Sequence, residues 1–129
     1  MLNGARKKMR LVQKSNRISK FLINKIYDNV SEEATLYLPF NGWDSLIVSL
    51  HEKLLMLDKS YIIESISVAN GKLTFEITTH QELDVVVSAM YHYIHRAEYE
   101  STKKCIHCGK PGFLNVKNGE ILTFCKGCG

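Results

Sequence analysis

The chain reads as an α+β protein, with helices packed on a small antiparallel sheet and a zinc ribbon at the C-terminal end. Three observations predict this. Apolar residues recur at helical spacing in three separate segments. An Asn70-Gly71 pair sits between two alternating apolar runs, the strongest short-range hairpin signal. All four cysteines fall into two C-x-x-C pairs.

Residues 8–30 are predicted to form the first helix. Leu11, Ile18, Leu22 and Ile26 define its apolar stripe, and Lys7, Arg10, Lys14 and Arg17 lie on a different face. Thr35–Leu38 follows as a short strand ended by Pro39. Asn41 is the expected N-cap of a second helix, GWDSLIVSLHEKLLML, with Trp43, Ile47, Leu50, Leu54 and Leu57 as its seam. In the hairpin YIIESISVANGKLTFEIT, a two-residue turn places Val68 opposite Leu73 and Ile66 opposite Phe75. Glu64 then falls opposite Ile77 and is the one misfit. Thr79 and Glu82 have capping-box spacing ahead of a third helix running to about Glu100, with Leu83, Val87, Met90, Ile94 and Ala97 turned inward.

The expected organisation is a basic amphipathic N-terminal helix over residues 1–30, an α+β body over 31–102 and the ribbon over 103–129. Of 129 residues, 45% are hydrophobic and 23% charged, an ordinary globular balance. No apolar run reaches the roughly 18 residues of a membrane helix, and the N-terminus has no apolar signal core. A cytoplasmic location is therefore expected, where stable disulfides are rare.

Cys105/Cys108 and Cys125/Cys128 are separated by 16 residues, which matches the C-x₂-C-x₁₅₋₂₀-C-x₂-C zinc pattern. Glycines follow each pair (Gly109, Gly129), and Asn118-Gly119 marks a second hairpin with strands FLNVK and EILTF. Folding at that turn sets the two pairs side by side. Four thiolates around one Zn²⁺ leave no open coordination position, so the expected role is structural, with redox use or free thiols as the competing readings. His107 lies inside the first pair, but with four thiols at hand it is read as facing solvent. Gly109 to Phe124 contains no histidine, and the chain runs one residue past Cys128. Both points argue for a ribbon and against a histidine-metal nuclease with paired knuckles.

Other candidates are weaker. HEKLL at His51–Leu55 lacks the second histidine of H-E-x-x-H. His92, His95 and Glu98 share one side of the third helix and offer a metal or proton-transfer set, though a solvated helix face fits as well. Tyr91, Tyr93 and Tyr99 offer rings for base stacking, against the simpler reading of packing on a neighbour. No nucleotide-binding or hydrolase motif is present, so no enzyme activity and no small-molecule substrate are expected.

Charge is strongly segregated. Residues 1–27 carry eight basic side chains and no acid, while the rest carries nine basic and thirteen acidic residues. Arg6, Lys7, Arg10, Lys14 and Arg17 are therefore the candidate contacts for nucleic acid or for a partner's acidic surface. A merely solubilising arm is the bland alternative, and membrane binding is ranked low for want of large exposed apolar residues.

NGWDSLIVSLHEKL, NGKLTFEI and AEYESTKKCIHCGKPG, in this order, resemble a family of small uncharacterised bacteriophage and prophage proteins. Its members share a G-W helix, a strand pair, and a helix running through A-E-x-x-S into C-x-x-C-G-x-P-G. The resemblance spans roughly residues 36–129 and is specific around Trp43 and from Ala97 to Gly112. It implies phage origin, a host-cytoplasm location and a metal at the four cysteines, with Glu98 and Ser101 matching a recurrent acid and serine. It transfers no activity. The family's charged K-E-K-F-G-x-L-R stretch is replaced here by SISVANGKLTF. A phage protein of this size that occupies a host complex, such as a polymerase or defence effector, is the second functional expectation.

Overall fold

Buried Ile18 opens the described part of the chain, which in this computed structural model covers residues 18–129. Ser19 is an N-cap, extended at φ −68° and ψ 152°, and its Oγ accepts from the Leu22 N–H at 3.0 Å. The helix it starts, α1, spans Lys20–Ile26, and a 3₁₀ turn at Tyr27–Asn29 leads into strand β1, Val30–Leu36. Ile18, Leu22 and Ile26 form the expected buried stripe. Within the described residues the helix expected through residue 30 begins only after its cap at Ser19 and ends at Ile26. Leu11 and the basic face of that helix lie outside the described residues.

β1 is longer and earlier than the expected Thr35–Leu38. Its polar SEE stretch conceals the strand's alternation, whose buried positions are Val30, Ala34 and Leu36. Helix α2 (Asp44–Leu57) then carries the chain back to strand β2 (Ile62–Ala69), which pairs in parallel with β1. Asn29 ties the two strand starts together by donating from Nδ2 to the carbonyls of Lys59 (3.1 Å) and Tyr61 (2.8 Å). Strand β3 (Lys72–Thr78) completes a mixed three-stranded sheet in the order β1-β2-β3.

The β2–β3 hairpin has the expected register at its turn, with Val68↔Leu73 and Ile66↔Phe75, and Asn70 and Gly71 both have positive φ. The Glu64 misfit is absorbed by a bulge, since Ile63 pairs with Ile77 while Ser65 pairs with Glu76. The extra residue shifts the strand's phase, so that Ile63 and Ile66 are both fully buried although three residues apart. Glu64 meanwhile accepts from Thr78 Oγ1 at 2.5 Å.

α2 buries Ile47, Leu50 and Leu54, with Trp43 just ahead of it and Leu57 half-buried. Asn41 supplies only its backbone carbonyl to the Asp44 N–H, not the side-chain cap expected of it. Asp44 in the first turn instead accepts from Ser19 Oγ at 2.5 Å. Helix α3 spans Asp84–Ser101, and the Thr79/Glu82 capping box does not form. Thr79 Oγ1 accepts from the Gln81 N–H and donates to Asp58 Oδ2 at 2.7 Å, so it serves the preceding loop. Leu83, expected inward, is 63% exposed because it precedes the helix, whereas Met90, Ile94 and Ala97 are buried as expected. The ribbon strands β4 (Phe113–Lys117) and β5 (Glu120–Phe124) form a separate two-stranded sheet.

Candidate metal centre and its anchorage

The two C-x-x-C turns meet because the β4–β5 hairpin joins them. Asn118 and Gly119 both take positive φ at its tip, and Phe113 pairs with Phe124 at its base. One potential ligand atom from each of Cys105, Cys108, Cys125 and Cys128 lies within 4.8 Å of all the others. The Cys108 and Cys125 sulfurs are 3.5 Å apart, much longer than a disulfide bond, and all four cysteines are free. Zn–S bonds of about 2.3 Å in a tetrahedron imply S···S edges of about 3.8 Å. The donor set is therefore that of one structural zinc site.

The backbone supports thiolate at the buried end. Burial of Cys105 opposes ionisation, but hydrogen bonds from the backbone of Cys125, Cys108 and His107 outweigh it and bring the thiol down to about 6. Cys128 is pushed up to about 12, chiefly by hydrogen bonding with the Cys125 side chain. A divalent cation favours the charged form of every thiol in such a group. Gly109 follows the first pair at φ +80°, a conformation that favours glycine, and its N–H donates to the Cys105 carbonyl at 2.8 Å. Gly129 is not left-handed and plays no matching part. His107 is exposed, as expected, with Nδ1 3.6 Å from Cys128 Sγ and its ring 4.7 Å from that of Phe40.

The site is bolted to the body by residues whose role the sequence did not reveal. Trp43, fully buried, donates from Nε1 to the Lys104 carbonyl at 2.8 Å. The Gly42 N–H donates to the Ile106 carbonyl at 2.6 Å, and a Cβ at Gly42 would collide with the carbonyls of Cys105 and Ile106. The Ile106 side chain is itself fully buried. At the other end of the ribbon, Thr123 Oγ1 donates to the Gly71 carbonyl at 2.8 Å, and Gly71 lies against Leu114 and Ile121. The G-W pair was legible as a motif, but only the fold shows that it clamps the first cysteine turn.

Glu98 and Ser101 are structural in the same way. Ser101 Oγ accepts from the Leu73 N–H (2.9 Å) and Glu98 Oε2 from the Phe75 N–H (3.0 Å), so α3 satisfies donors along β3. Glu98 thus turns toward the sheet while His92 and His95 remain exposed, and the three do not form a ligand set. Tyr93 is half-buried with Lys53 Nζ 5.5 Å above its ring, whereas Tyr99 is 58% exposed. His51 is buried, with Nδ1 and Tyr61 Oη hydrogen-bonded at 2.5 Å, a core pair with no metal partner among the described residues. Arg6, Lys7, Arg10, Lys14 and Arg17 lie outside the described residues.

No family model, no curated protein and no solved structure matches this chain. What stands on geometry is an α+β protein carrying a Cys₄ metal-binding module. No helix among the described residues is long and apolar enough to cross a membrane.

Proposed function

We propose that this is a non-enzymatic binding module, related to phage proteins, that contacts nucleic acid through its basic N-terminal segment. The metal holds the scaffold's shape. The carrying observation is the charge segregation: eight basic and no acidic side chains in residues 1–27. The anchorage of that segment adds support. Ile18 is buried, and Ser19 is hydrogen-bonded to Asp44 at the start of α2, so the chain is fixed to the body immediately after Arg17. Clustered cations attract phosphate backbones with an affinity that falls as salt rises.

The test is binding of the zinc-loaded chain to labelled duplex and single-stranded DNA across a salt series. With Arg10, Lys14 and Arg17 changed together to alanine, affinity should drop and the log–log salt slope should become shallower by about 2 to 3. No binding by the unaltered protein at low salt would remove this reading.

One observation favours a protein partner instead. Phe113 (52% exposed) and Val116 (67% exposed) leave apolar side chains uncovered on the ribbon. On this second reading the chain is an inhibitor or adaptor docking on a host complex. It predicts a nuclease-resistant complex captured from host lysate, weakened by Val116→Glu.

A further inference from the structure

The outer stripe of α3 faces an open cleft of about 920 Å³ whose opposite wall is the first cysteine turn. His92, His95, Arg96, Tyr99 and Lys103 recur at three- and four-residue spacing, so they line one side of it together, away from buried Met90, Ile94 and Ala97. Lys104, Gly109 and Pro111 close the other side. We infer that this cleft is a binding site for single-stranded nucleic acid, with Tyr99 stacking on a base and Arg96, Lys103 and Lys104 receiving the phosphates. The inference rests on the nucleic-acid reading above, but assigns it a second surface and a strand preference.

Three features carry it. The first is charge, since three permanent cations line the cleft against one carboxylate, Glu100. That carboxylate is held by Arg96 Nε at 3.3 Å, in a pair with both side chains more than half exposed. Such a pair is weak, and Arg96 can exchange it for a phosphate at small cost. The second is the Tyr99 ring, 58% exposed, with Lys103 Nζ 4.6 Å from its centroid. The ammonium lies over one face of this ring, so a base stacks by taking the lysine's place, and the displaced cation meets the adjoining phosphate. In a duplex the base faces are already stacked, so the ring selects for single strands. The third is rigidity. Gly112 N–H donates to the Lys103 carbonyl at 2.9 Å, and the Lys104 carbonyl is held by Trp43. The backbone of both lysines is therefore fixed to the body and to the first cysteine turn, so the points from which their side chains reach are set before a ligand arrives.

The experiment is fluorescence anisotropy of the full, zinc-loaded chain with a labelled oligothymidylate and with a duplex. Tyr99→Ala should weaken single-strand binding about five- to a hundredfold, with little change for duplex, and Tyr99→Phe should restore it. Glu100→Gln should tighten single-strand binding about two- to fivefold, a gain that damage to the fold would not produce. Zinc content and Trp43 fluorescence check that each variant is folded. If the unaltered chain binds but Tyr99→Ala and Glu100→Gln leave single-strand affinity unchanged while the Arg10, Lys14 and Arg17 variant loses it, the cleft assignment is wrong and the arm reading stands. Equal losses for duplex and single strand in Tyr99→Ala would also overturn it. Absence of all binding at low salt would remove both.

Discussion

Glu98 and Ser101 show how one side chain can decide the fate of a strand edge. Each accepts a backbone N–H of β3 from the adjacent helix. Glu98→Ala leaves the Phe75 N–H without its partner and should cost about 1–3 kcal/mol, read as a lower urea midpoint at unchanged slope. Glu98→Gln keeps an acceptor oxygen and should lose less. His51 makes a different prediction. Burial lowers its pKa from 6.5, against the opposing influence of Glu52, Asp28 and the Lys25 backbone. The Tyr61 hydroxyl donates to neutral Nδ1, and burial raises the Tyr61 pKa so that the phenol keeps its proton. The folded chain therefore releases a proton that the unfolded chain holds below about 6.5. Stability from this pair is full above that value and declines as pH falls through it. Urea midpoints at about pH 7.5 and about pH 5.5, at fixed free zinc, should separate more for the unaltered protein than for His51→Gln. Pattern alone did not disclose either role. His51 occupies an ordinary helix position, and Glu98 shares with His92 and His95 a spacing that suggested ligands.

At the scale of elements, hairpins were the most legible. Both Asn-Gly turns stand where the sequence put them, because that pair is selected by a local backbone requirement that tertiary contacts rarely override. Helix ends were less so. Ser19, Thr79 and Asn41 are all credible caps, yet Ser19 caps a helix, Thr79 serves a loop and Asn41 gives only its carbonyl. Which of them caps depends on neighbours distant in sequence, as when Ser19 meets Asp44. The bulge at Glu64 is intermediate, since its symptom was visible as a register misfit but its remedy was not. The ligand set of the metal site was fully legible from spacing, whereas its anchorage was not, because Gly42 and Trp43 meet the ribbon across some sixty residues of chain. Gly42→Ala should therefore weaken zinc retention about ten- to a hundredfold against a competing chelator, although residue 42 binds no metal. Val48→Ala, a small change within α2 itself, should leave retention unaltered.

For the whole molecule, body and ribbon share one buried cluster that includes Trp43, Ile106, Phe124 and Cys105. Zinc binding in small modules contributes roughly 10–16 kcal/mol of apparent affinity to folding, and here the shared cluster carries that contribution into the body. The zinc-loaded chain should melt in a single transition. Chelation should shift the emission of Trp43, the sole tryptophan, to longer wavelength as its indole loses its burial and the Lys104 carbonyl. Two separate transitions, or an unmoved tryptophan signal, would contradict this unity. Charge is also distributed at this scale. The basic residues of 1–27 and the lysines of the ribbon lie at the two ends of the sequence, with most of the acids between them. The glycine contact at position 42 has a practical corollary for anyone dissecting the protein. A peptide cut out from residue 103 onward would carry its sulfurs intact yet expose the oily side of Ile106, and the remnant would present a bare indole, so neither fragment makes a faithful stand-in for the intact chain.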